Sequence, residues 1–235
     1  MSASRWVSDQ AMSFRGWRSG VLRKPNDGAG LVDRQGVNVL PTAAAPLLVL
    51  KVGGSLLSRP NWPALLVPLL TARGPRPCCL VVGGGAVVDG LRTLDRVMPQ
   101  SPGFMHSLAI DAMRLTARLV AEAINLPLSP TPPDRGQGIV LDVPAWLAVG
   151  TRAASLPIGW QVTSDTIAAR VAAEHDGGLL LAKSVPPPPC PDGIDPLVSL
   201  AQAGWVDDHF PIAAGPLGSI EWVAPWRQVF NVSES

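Results

Sequence analysis

The stretch "LLVLKVGGSLLSRP", residues 47–60, contains the pattern that decides the fold. An apolar run leads to Lys51 and then to Gly53 and Gly54, which is typical of a short buried strand closed by a turn. A lysine at the end of such a strand is costly to hold unless a negative group faces it. The stretch therefore predicts a buried strand whose last residues face an anion.

Other apolar runs repeat this arrangement along the chain. "CCLVVGGG" (78–85) and "GLLLAKSV" (178–185) also predict buried strands. Apolar strands that alternate with helices predict an α/β fold with a largely parallel sheet covered on both faces. The other predicted elements are helices over 62–72, 105–126 and 163–175, short elements over 138–149, a proline-rich loop over 186–196 and a late strand at "SIEWVAP".

The helix predicted over 105–126 has two distinct stripes. Its polar residues Arg114, Arg118 and Glu122 are spaced three and four apart, which favours a solvated helix face. We expect the other stripe to supply apolar contacts. Its members are Leu108, Ala112, Leu115, Leu119 and Ala123.

Composition limits the class of protein. The 235 residues are 47% hydrophobic and 16% charged, which indicates a compact globular chain. The net charge of +1 indicates neither a nucleic acid nor a membrane partner. Three cysteines form neither a disulfide framework nor a zinc spacing, and no apolar run approaches the roughly 18 residues of a membrane span. We expect a soluble, cytoplasmic protein.

The chain divides into two unequal parts. Residues 1–45 carry Arg, Gly, Ser and Asp without periodicity, which predicts a flexible N-terminal arm. Residues 46–235 predict a single domain.

Glycines follow two of the predicted strands, at 53–54 and 83–85. Ligands of parallel sheets bind at the carboxyl ends of strands, and glycine lets a backbone approach an anion closely. Lys51 would then neutralise a phosphoryl group. A single glycine cluster after a strand is usually only a turn, and neither cluster has the spacing of a P-loop or a dinucleotide fingerprint.

The helix over 163–175 has a clear start signal. Thr163 or Ser164 can cap it, and Asp165 complements the helix dipole in the first turn. Asp165 is also expected at the sheet edge near Lys51 and Lys183. An aspartate between two lysines would hold them in place.

Taken in order, "KVGGSLL", "VVGGGAVVDGLR", "VTSDTIAA" and "LLLAKSV…DGI" resemble the amino acid kinase superfamily over about residues 46–225. The resemblance implies a three-layer α/β/α sandwich with a mainly parallel central sheet. It also implies ATP as the phosphoryl donor, with Mg²⁺ held through ATP rather than by protein ligands. The acceptor would bind roughly within 46–150 and the nucleotide roughly within 151–235. Relatives commonly form dimers or larger assemblies, so the resemblance also implies a homo-oligomer.

The same resemblance implies roles for individual residues. Lys51, Asp165 and Lys183 would be catalytic, with Asp165 orienting the lysines. Four consecutive prolines separate Lys183 from Asp192 and Gly193, where relatives pass directly into Asp-Gly. The implied nucleotide-binding residues are Gly53, Gly54, Ser55, Ser164, Asp192 and Gly193. The implied acceptor-binding residues are Gly83, Gly84, Gly85, Arg92, His106, Asp111 and Arg114.

One branch is more similar. "HSLAIDAM", "WQVTSDTIAA" and "GWVDDHFP" resemble small kinases of methanofuran biosynthesis. Those enzymes phosphorylate 5-(aminomethyl)-3-furanmethanol phosphate to its diphosphate. Arg92, Arg114 or Arg118 would bind the acceptor's phosphate. The ammonium would be bound by a carboxylate, from Asp111, Asp207 or Asp208.

Alternatives remain at the level of sequence. His106 could cap or pack, and "WVDDHF" could be a surface turn anchored by Trp205 and Phe210. The acceptor could instead be isopentenyl phosphate, UMP or a carboxylate. A non-catalytic regulatory protein that binds nucleotide would have the same fold.

Overall fold

The computed structural model describes residues 7–14, 17–23, 46–136 and 138–225. In these ranges eight strands form one sheet in the order β1-β2-β8-β7-β3-β4-β6-β5. The strands are β1 (Val7–Phe14), β2 (Trp17–Arg23), β3 (Leu48–Val52), β4 (Cys78–Val82), β5 (Leu128–Ser129), β6 (Gly138–Leu141), β7 (Gly178–Ala182) and β8 (Ser219–Pro225). The helices are α1 (Trp62–Thr71), α2 (Gly85–Val97), α3 (Pro102–Ala123), α4 (Val143–Leu147), α5 (Ser164–Glu174), α6 (Pro196–Gln202) and α7 (Phe210–Ala213), with short 3₁₀ turns at Gly54–Ser58 and Ala153–Ser155.

The central strands are parallel, which confirms the predicted α/β fold. Strand β3 lies between β4 and β7, and Lys51 is in register with Val81 and Leu181. Because parallel strands end at the same edge, the glycine loops after β3 and β4 and the segment after β7 meet there.

Helices cover the sheet on both faces and form two apolar layers. Along β3, Val49 packs in one layer and Leu50 in the other, as the two-residue period of a strand requires. Helix α5 contributes Ile167 to the first layer, and α1 contributes Leu66 to the second. The arrangement is the three-layer sandwich that the sequence predicts.

The N-terminal residues differ from the predicted arm where the structure describes them. Residues 7–14 and 17–23 form an antiparallel hairpin that extends the sheet beside β8. Leu22 is buried, and a Cβ added at Gly20 would lie 2.5 Å from Nε1 of Trp222. Backbone pairing to β8 therefore orders a segment with too few apolar residues to give a strand signal. Residues 24–45 lie outside the described residues.

Helix α3 confirms the helix predicted over 105–126, with its bounds three residues earlier, but only Ala112 of its apolar stripe is buried. Leu115 and Leu119 are each 56% exposed, whereas Ala117 and Val120 are buried. The helix packs against β4 and β6, and small residues allow it to lie close to them. Residue size, not hydrophobicity alone, decides the inward face. None of the helices in the described ranges has the length and apolar content of a bilayer span.

Candidate active site

Three charged side chains meet at the carboxyl edge of the sheet. Nζ of Lys51 lies 2.9 Å from Oδ1 of Asp165, and Nζ of Lys183 lies 2.8 Å from Oδ2. The side chains are only 5%, 7% and 12% exposed for Lys51, Asp165 and Lys183. The structure thus places Asp165 between the two lysines, as the sequence predicts.

Three local structures position this cluster. Lys51 lies in β3, and Lys183 directly follows β7. Asp165 lies in the first turn of α5, which begins after the N-cap Thr163; the Thr163 hydroxyl accepts a hydrogen bond from the Asp165 N–H. One charged group therefore comes from each of three separate segments of the chain.

The cluster carries one net positive charge when all three groups are ionised. Burial alone would raise the pKa of Asp165, but Lys51 and Lys183 outweigh it and hold that pKa below its usual value. Burial and the neighbouring Lys51 lower the pKa of Lys183 to about 8, although Asp165 opposes the shift. A buried excess of positive charge is suited to an anionic ligand.

Trp205 also contacts Lys183. The Lys183 ammonium donates a hydrogen bond to the backbone carbonyl of Trp205, and it lies 4.9 Å from the centroid of the indole ring. The indole Nε1–H donates to the carbonyl of Val185 at 3.1 Å. Trp205 thereby contacts both Lys183 and the segment that follows it.

Asp207 caps the start of α5. Its Oδ2 accepts hydrogen bonds from the backbone N–H of Thr163 and of Thr166, both at 3.0 Å, and from the Thr163 hydroxyl at 2.8 Å. Its Oδ1 accepts from the Thr166 hydroxyl. The carboxylate thus binds the start of α5 through four hydrogen bonds, and Asp207 also lines the cavity described below. Trp205 and Phe210 are buried and anchor this segment.

The two glycine loops contact each other. A Cβ added at Gly54 would lie 2.2 Å from the backbone nitrogen of Gly85, and Gly85 has a φ of +53°. A Cβ at Gly83 would lie 2.8 Å from Oγ of Ser164. Glycine is therefore required here for loop packing, a reason that the sequence pattern alone did not reveal.

A cavity of about 410 Å³ lies above the charged cluster. It extends from the glycine loops to α3 and to the segment before α7. The predicted site residues that line it are Gly54, Ser55, Gly83, Gly84, Gly85, Arg92, His106, Ser164, Asp165 and Lys183.

Six predicted site residues do not line this cavity. Lys51 is buried against Asp165, and Gly53 donates its N–H to Ala182. Arg114 is instead bound to Asp142, the N-cap of α4, at 2.9 Å. Asp111 lies on the exposed face of α3, and Asp192 and Gly193 lie in the exposed proline-rich loop. Asp111 and Arg114, both predicted for the acceptor, are thus not among the residues that line this cavity.

The far end of the cavity brings the predicted residues Arg92 and His106 together with Trp160, which the sequence did not single out. Arg92 lies over the ring of Trp160 at 5.0 Å and pairs with Asp89 at 3.0 Å. Nε1 of Trp160 donates to Asp95 at 3.2 Å. Nδ1 of His106 lies 3.2 Å from the carbonyl oxygen of Gly159. The tryptophan next to "QVTSD" was the available signal, but an isolated tryptophan does not predict a pocket wall.

The segments that follow β3 and β7 also contact each other. The Ser55 hydroxyl donates to the Ser184 hydroxyl at 3.0 Å, and Arg59 donates to the Ser184 carbonyl at 3.3 Å. Arg59 and Ser184 each lie within a stretch quoted above, but the sequence does not reveal their contact, which spans 125 residues.

Comparisons with known proteins concern the fold. No protein-family model and no curated protein matches the chain. The fold is similar to that of uridylate kinase from Archaeoglobus fulgidus, with 19% identity, a TM-score of 0.51, and 76% of this chain and 90% of that chain covered. It is also similar to that of UMP kinase from Bacillus anthracis, with 13% identity, a TM-score of 0.51, and 74% and 84% covered. The chain therefore has the fold that the resemblance to amino acid kinases implies.

Proposed function

We propose that this chain is an ATP-dependent kinase that phosphorylates a small phosphorylated acceptor. The observation that carries the proposal is the buried Lys51–Asp165–Lys183 cluster beneath a cavity lined by two glycine loops. Phosphoryl transfer requires positioning and positive charge more than covalent chemistry from the protein. The cluster supplies that charge at a site shielded from water, where it acts most strongly.

The residues at the cavity fit a polyphosphate. Helix α2 begins at Gly85, its N-cap Gly84 makes no side-chain cap, and its first turn carries no acidic residue. The free N–H groups of a helix start favour an anion. Gly54, Ser55 and Lys183 line the same cavity and would hold the phosphates. ATP with Mg²⁺ supplies the phosphoryl group, and this ion is usually held by phosphates and water.

The chain's own groups have distinct parts in this proposal. Lys51 and Lys183 stabilise the negative charge that develops on the transferred group, and Asp165 keeps both ammonium groups in place. An acceptor phosphate is already ionised near neutral pH, because its second pKa is about 6. Its oxygen needs no general base, which agrees with an aspartate that is bound to two lysines.

The acceptor proposed on the branch resemblance is 5-(aminomethyl)-3-furanmethanol phosphate. Arg92 offers a guanidinium for the phosphate, and Trp160 offers a flat apolar surface for a ring. Asp208 is exposed at the cavity and is available for an ammonium. Other acceptors compatible with the cluster are UMP, isopentenyl phosphate and a carboxylate.

A non-catalytic nucleotide-binding protein is the second candidate. One observation favours it: Asp192 and Gly193 in the proline-rich loop do not line the cavity, so this side offers fewer contacts to a nucleotide. Binding of ATP without transfer to any acceptor would support this candidate over a kinase.

A panel of acceptors tests the proposal. Each of the four acceptor types is incubated with ATP and Mg²⁺, and the products are identified by ³¹P NMR. The furan phosphate is expected to give a diphosphate signal and ADP, whereas a carboxylate acceptor would give an acyl phosphate. Turnover of UMP alone would support kinase activity but would show that UMP, and not the furan phosphate, is the acceptor.

The predicted homo-oligomer is also a proposal. Leu115 and Leu119 give α3 an apolar surface, and light scattering of the purified chain measures the number of subunits.

A further inference from the structure

We propose that Trp205 and Asp207 are positioning residues that keep the charged groups of the cluster in place. Asp207 acts on the half of the cluster that carries Asp165, and Trp205 acts on the half that carries Lys183. The inference rests on the proposed function for its catalytic consequence. Its structural content concerns only the chain's own contacts. Both residues lie in the connection between α6 and α7, and neither is a member of the cluster.

Asp207 fixes the half that carries Asp165. Its carboxylate accepts four hydrogen bonds from Thr163 and Thr166, and these residues flank Asp165 within the first turn of α5. Thr166 is fully buried. A single capping bond is typical of a helix start, so this start is held more firmly than capping alone requires. Rotation of the turn would move the Asp165 carboxylate away from both lysines.

Trp205 fixes the half that carries Lys183. Its carbonyl and its ring contact the ammonium, and its indole N–H holds the backbone at Val185. The lysine is thus contacted by both Asp165 and Trp205. An ammonium that has a long flexible stem would otherwise take up several rotamers.

The connection itself is anchored. The backbone N–H of Trp205 donates to the Leu200 carbonyl at 2.9 Å, and that of His209 donates to Gln161 at 3.2 Å. Val206 and Phe210 are buried. The segment that carries both positioning residues is therefore bound to α6, to Gln161 and to the core.

The lysine content of the chain permits a direct test. The chain has three lysines, Lys24, Lys51 and Lys183, so protein labelled with ¹³C and ¹⁵N on lysine gives three side-chain signals. The Lys51→Met and Lys183→Met variants assign them. Spectra are then compared for the full-length wild type, Asp207→Asn and Trp205→Leu across pH 6 to pH 10.

Asp195→Asn is the matched control. Asp195 also caps a helix, since it accepts from the N–H groups of Leu197 and Val198 at the start of α6, but it does not line the cavity. We expect it to leave the signals of Lys51 and Lys183 unchanged. Asp207→Asn is expected to shift both signals and to lower kcat about tenfold to a hundredfold, with little change in KM for ATP, because small displacements have effects of that size.

Two outcomes overturn the inference. One is an Asp207→Asn protein that is folded and has lysine signals and kcat of the wild type. The other is Asp195→Asn shifting the signals as much as Asp207→Asn, which would reduce the effect to general loss of stability. If Asp207→Asn does not fold, Thr166→Val decides, because it removes one hydroxyl bond to Asp207 and keeps a similar shape. Unchanged lysine signals there reject the inference.

Failure of the proposed function has a different signature. If the wild type transfers no phosphoryl group to any acceptor, kcat cannot be compared between variants. The lysine spectra would still show whether the surroundings of Lys51 and Lys183 have changed. Shifted signals in Asp207→Asn would then support the positioning role of Asp207, and only the proposed kinase function would be rejected.

Discussion

Nζ of Lys183 lies 2.8 Å from Oδ2 of Asp165, where the end of β7 meets the start of α5. Lys51 occupies the other oxygen of the same carboxylate. The resulting group is nearly buried and retains a positive charge. The proposed binding of an anion in the cavity rests on this relationship, and so do several of the predictions that follow.

Asp165 is predicted to be essential for stability. The Asp165→Asn variant leaves two buried ammonium groups without their counter-charge, and breaking a buried pair typically costs about 3–5 kcal/mol. Urea unfolding at pH 7 measures the change in the free energy of unfolding. Glu174→Gln is the control, because Glu174 pairs with two partly exposed arginines and should contribute about 1 kcal/mol or less. Similar losses in both variants would contradict the prediction.

Lys183 is predicted to make stability depend on pH. Its pKa is about 8 in the folded chain and 10.5 in an ordinary lysine. Between these values the unfolded chain binds more protons, so this group makes the free energy of unfolding rise with pH. Below pH 8 both states are protonated, and the cost of burying the charge is fully present.

Buried cysteines act in the opposite direction. Burial raises the pKa of Cys78 to about 11 and raises that of Cys79 as well. Their contribution to the free energy of unfolding therefore falls with rising pH, because the thiols ionise first in the unfolded chain. Comparison with Lys183→Met at each pH removes this common contribution. The wild type should gain stability relative to the variant from pH 8 to pH 10, and a constant difference would show that Lys183 titrates normally.

Gly54 is predicted to tolerate no side chain. A Cβ there would meet the backbone of Gly85 at 2.2 Å, so Gly54→Ala must separate the two glycine loops. We expect lower thermal stability and loss of ATP affinity, measured by calorimetry. Gly90→Ala is the control in exposed helix α2, where nothing lies within 4 Å, and it should be neutral or stabilising by up to about 1 kcal/mol. Wild-type ATP affinity in Gly54→Ala would disprove the packing argument.

Arg92 is predicted to bind the acceptor and not the nucleotide. It lines the cavity beside Trp160, so Arg92→Gln should raise KM for a phosphorylated acceptor about tenfold to a hundredfold, as loss of a charge-assisted contact implies. KM for ATP should stay within about twofold. Arg96→Gln is the matched control on the same helix, because Arg96 does not line the cavity. Equal increases in KM for the acceptor and for ATP would contradict a role of Arg92 in binding the acceptor alone.

The sequence predicted what depends on local pattern. The strand ending at Lys51, the helix start at Asp165 and the strand before Lys183 each follow from apolar runs, glycines and capping residues. Their convergence follows from the rule that parallel strands share one edge.

The parts that could not be predicted depend on contacts between distant residues. Arg114 has the right residue type for an acceptor site, but Asp142 binds it elsewhere. In the sequence, Asp207 has the pattern of an acidic surface residue. Its four hydrogen bonds to the start of α5 form only because the fold brings α5 and the α6–α7 connection together. The N-terminal hairpin depends on pairing with β8, more than 190 residues away along the chain.

The most direct test is the rate of ADP release from ATP and Mg²⁺ in the presence of 5-(aminomethyl)-3-furanmethanol phosphate, measured for the wild type and for Lys51→Ala. We predict acceptor-dependent release by the wild type and a fall in kcat of at least about a hundredfold in the variant, since one stabilising group of a transition state is worth that much. The Lys183–Asp165 pair remains in the variant, so its fold should persist in circular dichroism. Turnover by a folded Lys51→Ala at the wild-type rate would contradict the account.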